Sequence, residues 1–225
     1  MGAIFITATG TDIGKTYVAS GLIRQLRAQG RAVDALKPVV TGFDPAQPRA
    51  SDTASLLAAL GRPITPDEIA RISPWRFSAP LSPDLAAKRE RRRLDFDALV
   101  DFSRRAVRGH VGTLLIEGIG GVMVPLDARH TVLDWMSALG APVVLVAGSY
   151  LGSISHTLTG LDVLRRRGLG ILAIVINETP GSTVTVAQTI ESVSQFAEAI
   201  PVIDLARQRA DSESVAFDRI MARLQ

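Results

Sequence analysis

Only three lysines occur among the 25 basic residues of this 225-residue chain, and two of them stand inside short signatures. Lys15 belongs to Thr11-Asp12-Ile13-Gly14-Lys15-Thr16, and Lys37 opens Lys37-Pro38-Val39-Val40-Thr41-Gly42. An ammonium is a compact point charge on a flexible stem, whereas a guanidinium is a broad planar fork. A chain that otherwise uses arginine, but lysine here, suits contacts between single phosphate oxygens. The segment Gly10 to Thr16 follows an apolar strand-like run and opens a helical pattern. In such a turn, backbone N–H groups converge on phosphate oxygens and the helix dipole adds positive potential. Lys15 would then reach the outer phosphates and the Thr16 hydroxyl would ligate Mg²⁺. The standard pattern has a glycine, four intervening residues, then Gly-Lys; here the first glycine's place is Thr9, and Gly10 comes one residue later.

Two carboxylates could share that chemistry. Glu117 ends the apolar run Leu114-Leu115-Ile116 and precedes Gly118-Ile119-Gly120-Gly121. A carboxylate directly after a buried strand is where a nucleotide-binding fold holds Mg²⁺ or its water. Asp52, in Ser51-Asp52-Thr53, reads equally well as a metal ligand or as the first-turn acid of a helix capped by Ser51. The glycine turn after Glu117 would let backbone approach a substrate closely. His110, His130 and His156 show no ligand spacing, and no Ser-His-Asp arrangement suggests acyl transfer.

These residues need a scaffold. Ala3 to Thr9 reads as a buried strand. Val18, Ala19, Leu22, Ile23 and Leu26 share one face of a helix that Gly30 ends. Ala32 to Val40 reads as a second strand. Thr41 to Pro83 is proline-dense and reads as a loop-rich insertion interrupted by short helices such as Thr53 to Leu60. Leu94 to Arg108 is helical and Thr113 to Glu117 a strand. Thr131 to Leu139 is helical, Pro142 to Ala147 a strand, Ser153 to Arg167 a helix, and Leu169 to Asn177 a strand. Thr183 to Ala197 is helical, Pro201 to Asp204 a short strand, and the tail from Gln208 an amphipathic helix. Strands alternating with helices predict a parallel sheet covered on both faces, with ligands at the carboxyl ends of its strands.

The composition narrows the field. There is no cysteine, which excludes disulfides, thiolate nucleophiles and cysteine-ligated metal clusters, and fits a cytoplasmic protein. A net charge of +3 is too mild to argue for nucleic acid. The basic runs Lys88 to Arg93 and Arg165 to Arg167 read as solvated surface. No apolar run approaches the ~18 residues of a membrane helix, and the N-terminus shows no secretory leader. No repeat or linker divides the chain, so residues 1–225 read as one domain.

Taken together, these signatures resemble the dethiobiotin synthetase family. The likeness is carried by Thr11 to Thr16, Lys37-Pro38-Val39 with Thr41-Gly42, Ser51-Asp52, and Phe77 with Pro80-Leu81-Ser82-Pro83. Glu117-Gly118 with Gly120-Gly121, Leu151-Gly152 with His156, and Asn177 complete it, in family order over residues 3–205. The resemblance implies a three-layer α/β P-loop NTPase-like fold, with a mostly parallel twisted sheet and helices on both faces. It implies ATP-dependent closure of the ureido ring on 7,8-diaminopelargonate with CO₂, in a homodimer, with Mg²⁺ as cofactor. The implied catalytic residues are Lys37, Lys15 and Thr11. The nucleotide would meet Asp12, Ile13, Gly14, Lys15, Thr16, Tyr17, Glu117 and Asn177, the last at the adenine edge. The substrate would meet Thr41, Gly118, Gly121, Leu151 and Gly152, and Thr16, Asp52 and Glu117 would hold the metal.

Four positions depart from the family pattern. Ala8 stands where Gly is usual, which is harmless only if its φ is negative. Asp12, Ser155 (for Asn) and Asp84 (for His) also differ. Two rival readings meet contrary observations. Phosphate-loop ATPase switches that position plasmids or septa carry an extra Lys early in the loop, and residues 8–13 contain none. An amide-forming corrin-ring ligase would add a glutaminase domain with a nucleophilic cysteine.

Overall fold

The buried runs become the strands of one sheet. In chain order the elements are β1 (Ala3–Ala8), α1 (Lys15–Ala28), β2 (Val33–Leu36), β3 (Val39–Thr41), α2 (Asp52–Leu60) and α3 (Pro66–Ile72). There follow β4 (Trp75–Phe77), α4 (Pro83–Arg89), α5 (Phe96–Gly109), β5 (Thr113–Glu117), α6 (Val132–Leu139) and β6 (Val143–Gly148). The last are α7 (Ser153–Arg166), β7 (Ile171–Asn177), α8 (Val186–Ala197), β8 (Val202–Leu205) and α9 (Ala210–Met221). The computed structural model describes residues 2–205 and 210–223. The first two residues of the tail expected to be helical, Gln208 and Arg209, lie outside the described residues, and α9 occupies most of the rest.

Six strands pair in the order β2-β5-β1-β6-β7-β8, and every pairing is parallel. β1, β5 and β6 are buried along their whole length. Strands buried on both faces can be continuously apolar, which is why these segments do not alternate. Trp135 of α6 packs edge-on against Phe5 of β1, ring centroids 4.8 Å apart, and its indole N–H donates to Ser103 Oγ at 3.2 Å. That bond satisfies the one polar atom of an otherwise fully buried ring.

Two expectations are corrected. Ala32 to Val40 is not one strand. β2 pairs with β5, whereas β3 pairs with β4 in a separate two-stranded parallel sheet. The break falls at Lys37-Pro38, where proline supplies no N–H to continue a ladder. The Lys37 N–H donates instead to Ile72 O at 3.0 Å, and Pro38 O accepts from Trp75 N at 3.0 Å. Nor is Thr41 to Pro83 chiefly loop, for it contains α2, α3 and β4. Pro66 and Pro83 stand at the first turns of α3 and α4. A proline there loses no hydrogen bond, so these prolines begin helices instead of interrupting them.

Candidate active site

β1 and β5 are neighbours, with Ile6 opposite Glu117, so the loop leaving β1 passes beside the end of β5. Gly14 takes φ 101°, ψ 26° immediately before α1. That left-handed value favours glycine, and a Cβ built there would lie 2.1 Å from Asn177 Nδ2. The Asn177 amide donates to Ile13 O at 2.8 Å, tying the end of β7 to the loop. Asp12 also has positive φ, at 57°, which aspartate tolerates better than most residues. Ala8 closes β1 opposite Val146 and is not among the positive-φ residues, so its side chain costs the loop nothing.

Four polar side chains meet above these strand ends. The Lys37 ammonium donates to Glu117 Oε1 and lies 3.1 Å from Asp52 Oδ2 and 3.4 Å from Gly118 O. The Thr16 hydroxyl donates to the same Glu117 Oε1 at 2.7 Å. Lys15 donates to Gly10 O at 3.2 Å, curling back over its own loop. Burial alone would lower the pKa of Lys37, but Glu117 and Asp52 outweigh it and hold the ammonium above its ordinary value. Lys15 has no such partner. Burial, and after it the charge of Lys37, bring it down to about 8, against the weaker pull of Glu117, Asp52 and Asp12. Burial would raise Asp52, but Lys37 keeps it below the usual carboxylate range. Asp52 opens α2 as its first-turn acid, behind the Ser51 cap, whose Oγ accepts from Ala54 N at 3.2 Å.

A cavity of about 600 Å³ opens over this cluster. Thr11, Asp12, Gly14, Lys15, Thr16, Lys37, Thr41 and Asp52 all line it. Pro80-Leu81-Ser82-Pro83 line it too, a segment that matches the family pattern but to which sequence reasoning gave no role. Other expected contacts are not in the lining. Gly118 packs on Phe5, where a Cβ would come 2.8 Å from the ring, and Gly121 packs on the loop backbone at Thr9 and Gly10. Their smallness lets β5 and the phosphate loop approach, a close contact of backbone with backbone. Gly121 borders a second cavity of about 430 Å³ that shares Thr11 and Val124 with the first and reaches His156. Leu151 is 82% exposed, Gly152 begins α7, and Tyr17 lies on α1; none lines either cavity. His156 accepts or donates at 2.9 Å with the Tyr150 hydroxyl, a pairing the sequence did not suggest.

The chain is 52% identical over 202 residues to the ATP-dependent dethiobiotin synthetase BioD of Acidiphilium cryptum, covering 89% of this chain and 91% of that one. It belongs to the dethiobiotin synthetase family. The synthetase of Methylobacterium nodulans is 48% identical, covering 92% of this chain and 94% of that protein. The family model described as an AAA domain matches residues 2–207. Among solved structures the chain is similar in fold to the MinD cell division protein of Aquifex aeolicus. There the TM-score is 0.57 at 14% identity, over 100% of this chain and 97% of that one. HypB of Helicobacter pylori, solved in complex with nickel, gives a TM-score of 0.56 at 13% identity, over 99% and 86%. Such distant likenesses establish the α/β P-loop fold alone. The synthetase relatives carry the family.

Proposed function

We propose that this protein uses ATP to close the ureido ring of dethiobiotin from 7,8-diaminopelargonate and CO₂, a carbon–nitrogen ligation of biotin biosynthesis. The observation that carries this reading is the pair of ammonium groups, Lys15 and Lys37, lining one cavity beside the phosphate loop. One substrate amine captures CO₂ as a carbamate. The carbamate oxygen attacks the γ-phosphate, giving a carbamic–phosphoric anhydride and ADP. The second amine attacks the carbonyl carbon, closes the ring and expels phosphate. Every step gathers anionic oxygens, so positioning and charge neutralisation supply most of the catalysis.

In this reading Lys15, Thr11 and the N–H groups from Asp12 to Thr16 hold the phosphates, and Tyr17 lies along the nucleotide. Lys37 and Thr41 face the carbamate. Gly118 and Gly121 shape the floor, while Leu151-Gly152 of a partner copy meets the far end of the substrate. Asn177 supports the loop through Ile13 and borders the adenine. The donor set also fits Mg²⁺. Glu117 Oε2 is buried without a hydrogen-bond partner, and Thr16, Asp52 and Glu117 together offer the hard oxygens that Mg²⁺ takes alongside substrate phosphates. Bound there, Mg²⁺ would neutralise charge developing between the β- and γ-phosphates.

We read residues 1–225 as one domain that works as a cytoplasmic homodimer without nucleic acid or membrane. Exposed Met123 in the lining of the second cavity and exposed Leu151 in the turn before α7 favour a protein partner, and no described helix is long and apolar enough to cross a membrane. Light scattering tests the dimer. The reaction is tested with diaminopelargonate, bicarbonate, Mg²⁺ and ATP, the product being detected by mass; no dethiobiotin above a no-enzyme control would refute the reading.

A further inference from the structure

Ser82 also lines the cavity, as the polar side chain among Pro80, Leu81 and Pro83. Ser82 stands at the N-cap of α4, yet its side chain accepts from no backbone N–H there. Elsewhere in this chain the cap residues Ser51, Thr65, Asp95 and Thr185 do accept such a bond. The Ser82 hydroxyl donates instead to Asp84 Oδ1. A carboxylate accepts and does not donate, so the single hydroxyl hydrogen is committed to Asp84. Ser82 can then offer the cavity only lone pairs, made more basic by the anion behind them.

The wall is fixed in place. Glu90 Oε1 accepts from Ser78 N at 2.6 Å and Ala79 N at 3.2 Å. Ala79 O accepts from Gly42 N at 3.1 Å and Leu81 N at 2.9 Å, and Ser82 O accepts from Ala86 N at 2.8 Å. The donors Lys15 and Lys37 and the loop that serves phosphate line the same cavity. An acceptor sharing a cavity with those donors suits a ligand that carries both N–H donors and anionic oxygens.

We propose that Ser82 accepts a hydrogen bond from an amine N–H of the acceptor substrate, and that Asp84 is a positioning residue that keeps this hydroxyl turned to accept. This rests on the ring-closing reading above.

The test is steady-state kinetics of the full chain, with product measured by mass, for the wild type, Ser82→Ala, Asp84→Ala, the double variant and Ser82→Thr. Ser82→Ala should raise the KM for diaminopelargonate about tenfold, the scale of one lost hydrogen bond in a charged site. The KM for ATP and kcat should stay within about twofold, because nothing on the phosphate side changes. Asp84→Ala should raise the same KM several-fold, and the double variant no further than Ser82→Ala, since both act through one hydroxyl. Ser82→Thr keeps the hydroxyl and should recover most of the loss. Melting temperatures verify that each variant is folded. An active wild type with an unchanged diamine KM in Ser82→Ala, or with effects that multiply in the double variant, would overturn this proposal and spare the ring-closing reading. An inactive wild type would instead remove the reading on which it stands.

Discussion

The Lys37 ammonium rests on the carboxylate of Glu117, 80 residues away in sequence, and the two side chains are only 3% and 1% exposed. A buried pair of this kind is held by mutual attraction against the cost of desolvating both charges. Removing one partner strands the other. Lys37→Gln should therefore lower stability, by up to about 3–5 kcal/mol. It should also reduce kcat at least about a hundredfold, the scale of losing one charge-stabilising donor. Nucleotide affinity should change far less, because Lys15 and the loop N–H groups remain. Calorimetric ATP titration and turnover measured together separate these effects; near-normal turnover would refute the role given to Lys37.

Gly14 should tolerate no side chain. Alanine there must hold φ near 101° and meet Asn177 Nδ2. Backbone strain of this kind costs about 1–3 kcal/mol. Gly14→Ala is expected to melt several degrees lower and to lose at least about tenfold in ATP affinity, with the contact to Asn177 forced apart. Unchanged ATP binding would show that the loop can rearrange freely around Asn177.

Asn177→Asp tests the link between β7 and the loop. Ile13 O needs a donor, and a carboxylate would oppose it with a second acceptor. Leaving that carbonyl unsatisfied costs about 1–3 kcal/mol. Thermal melts should show the loss without nucleotide, and fluorescence titration should show weaker ATP binding. Wild-type values in both would dismiss the strut.

Asp134 gives a prediction in pH. Its carboxylate accepts from Thr131 N and Thr131 Oγ1, each at 2.8 Å, and pairs with Arg167 at 3.0 Å. Burial would raise its pKa, but these partners prevail and hold it below the ordinary 3.8. A carboxylate with a depressed folded pKa adds stability that is present above 3.8 and lost as pH falls through the folded value. Asp134→Asn should cost about 1 kcal/mol at neutral pH, the scale of a helix cap. Urea melts at falling pH should show the gap closing below 3.8; a constant gap would mean that the charge contributes nothing.

Much of this molecule is written in local pattern. The periodicity of Val18, Ala19, Leu22, Ile23 and Leu26 reports a helix buried on one face, because burial repeats every 3.6 residues along any such helix. The loop before Lys15 reports itself because glycine, lysine and threonine at that spacing answer to backbone geometry and phosphate charge alone. Lys15, Thr16, Lys37 and Asp52 could be selected from local pattern, Thr11 and Thr41 from the family resemblance, and all six share one cavity. What no local pattern carries is which strand lies beside which. The β1–β5 pairing sets Glu117 against Thr16, and the crossing at Lys37-Pro38 takes the chain out of one sheet and into another. Those choices depend on contacts between residues distant in the chain, from Val39 with Trp75 to Thr16 with Glu117, summed over a whole core. So the sequence names the ammonium groups and carboxylates, but only the assembled sheet pairs Lys37 with two anions and leaves Lys15 without an ion pair among the described residues, or turns Ser82 from its helix cap to Asp84.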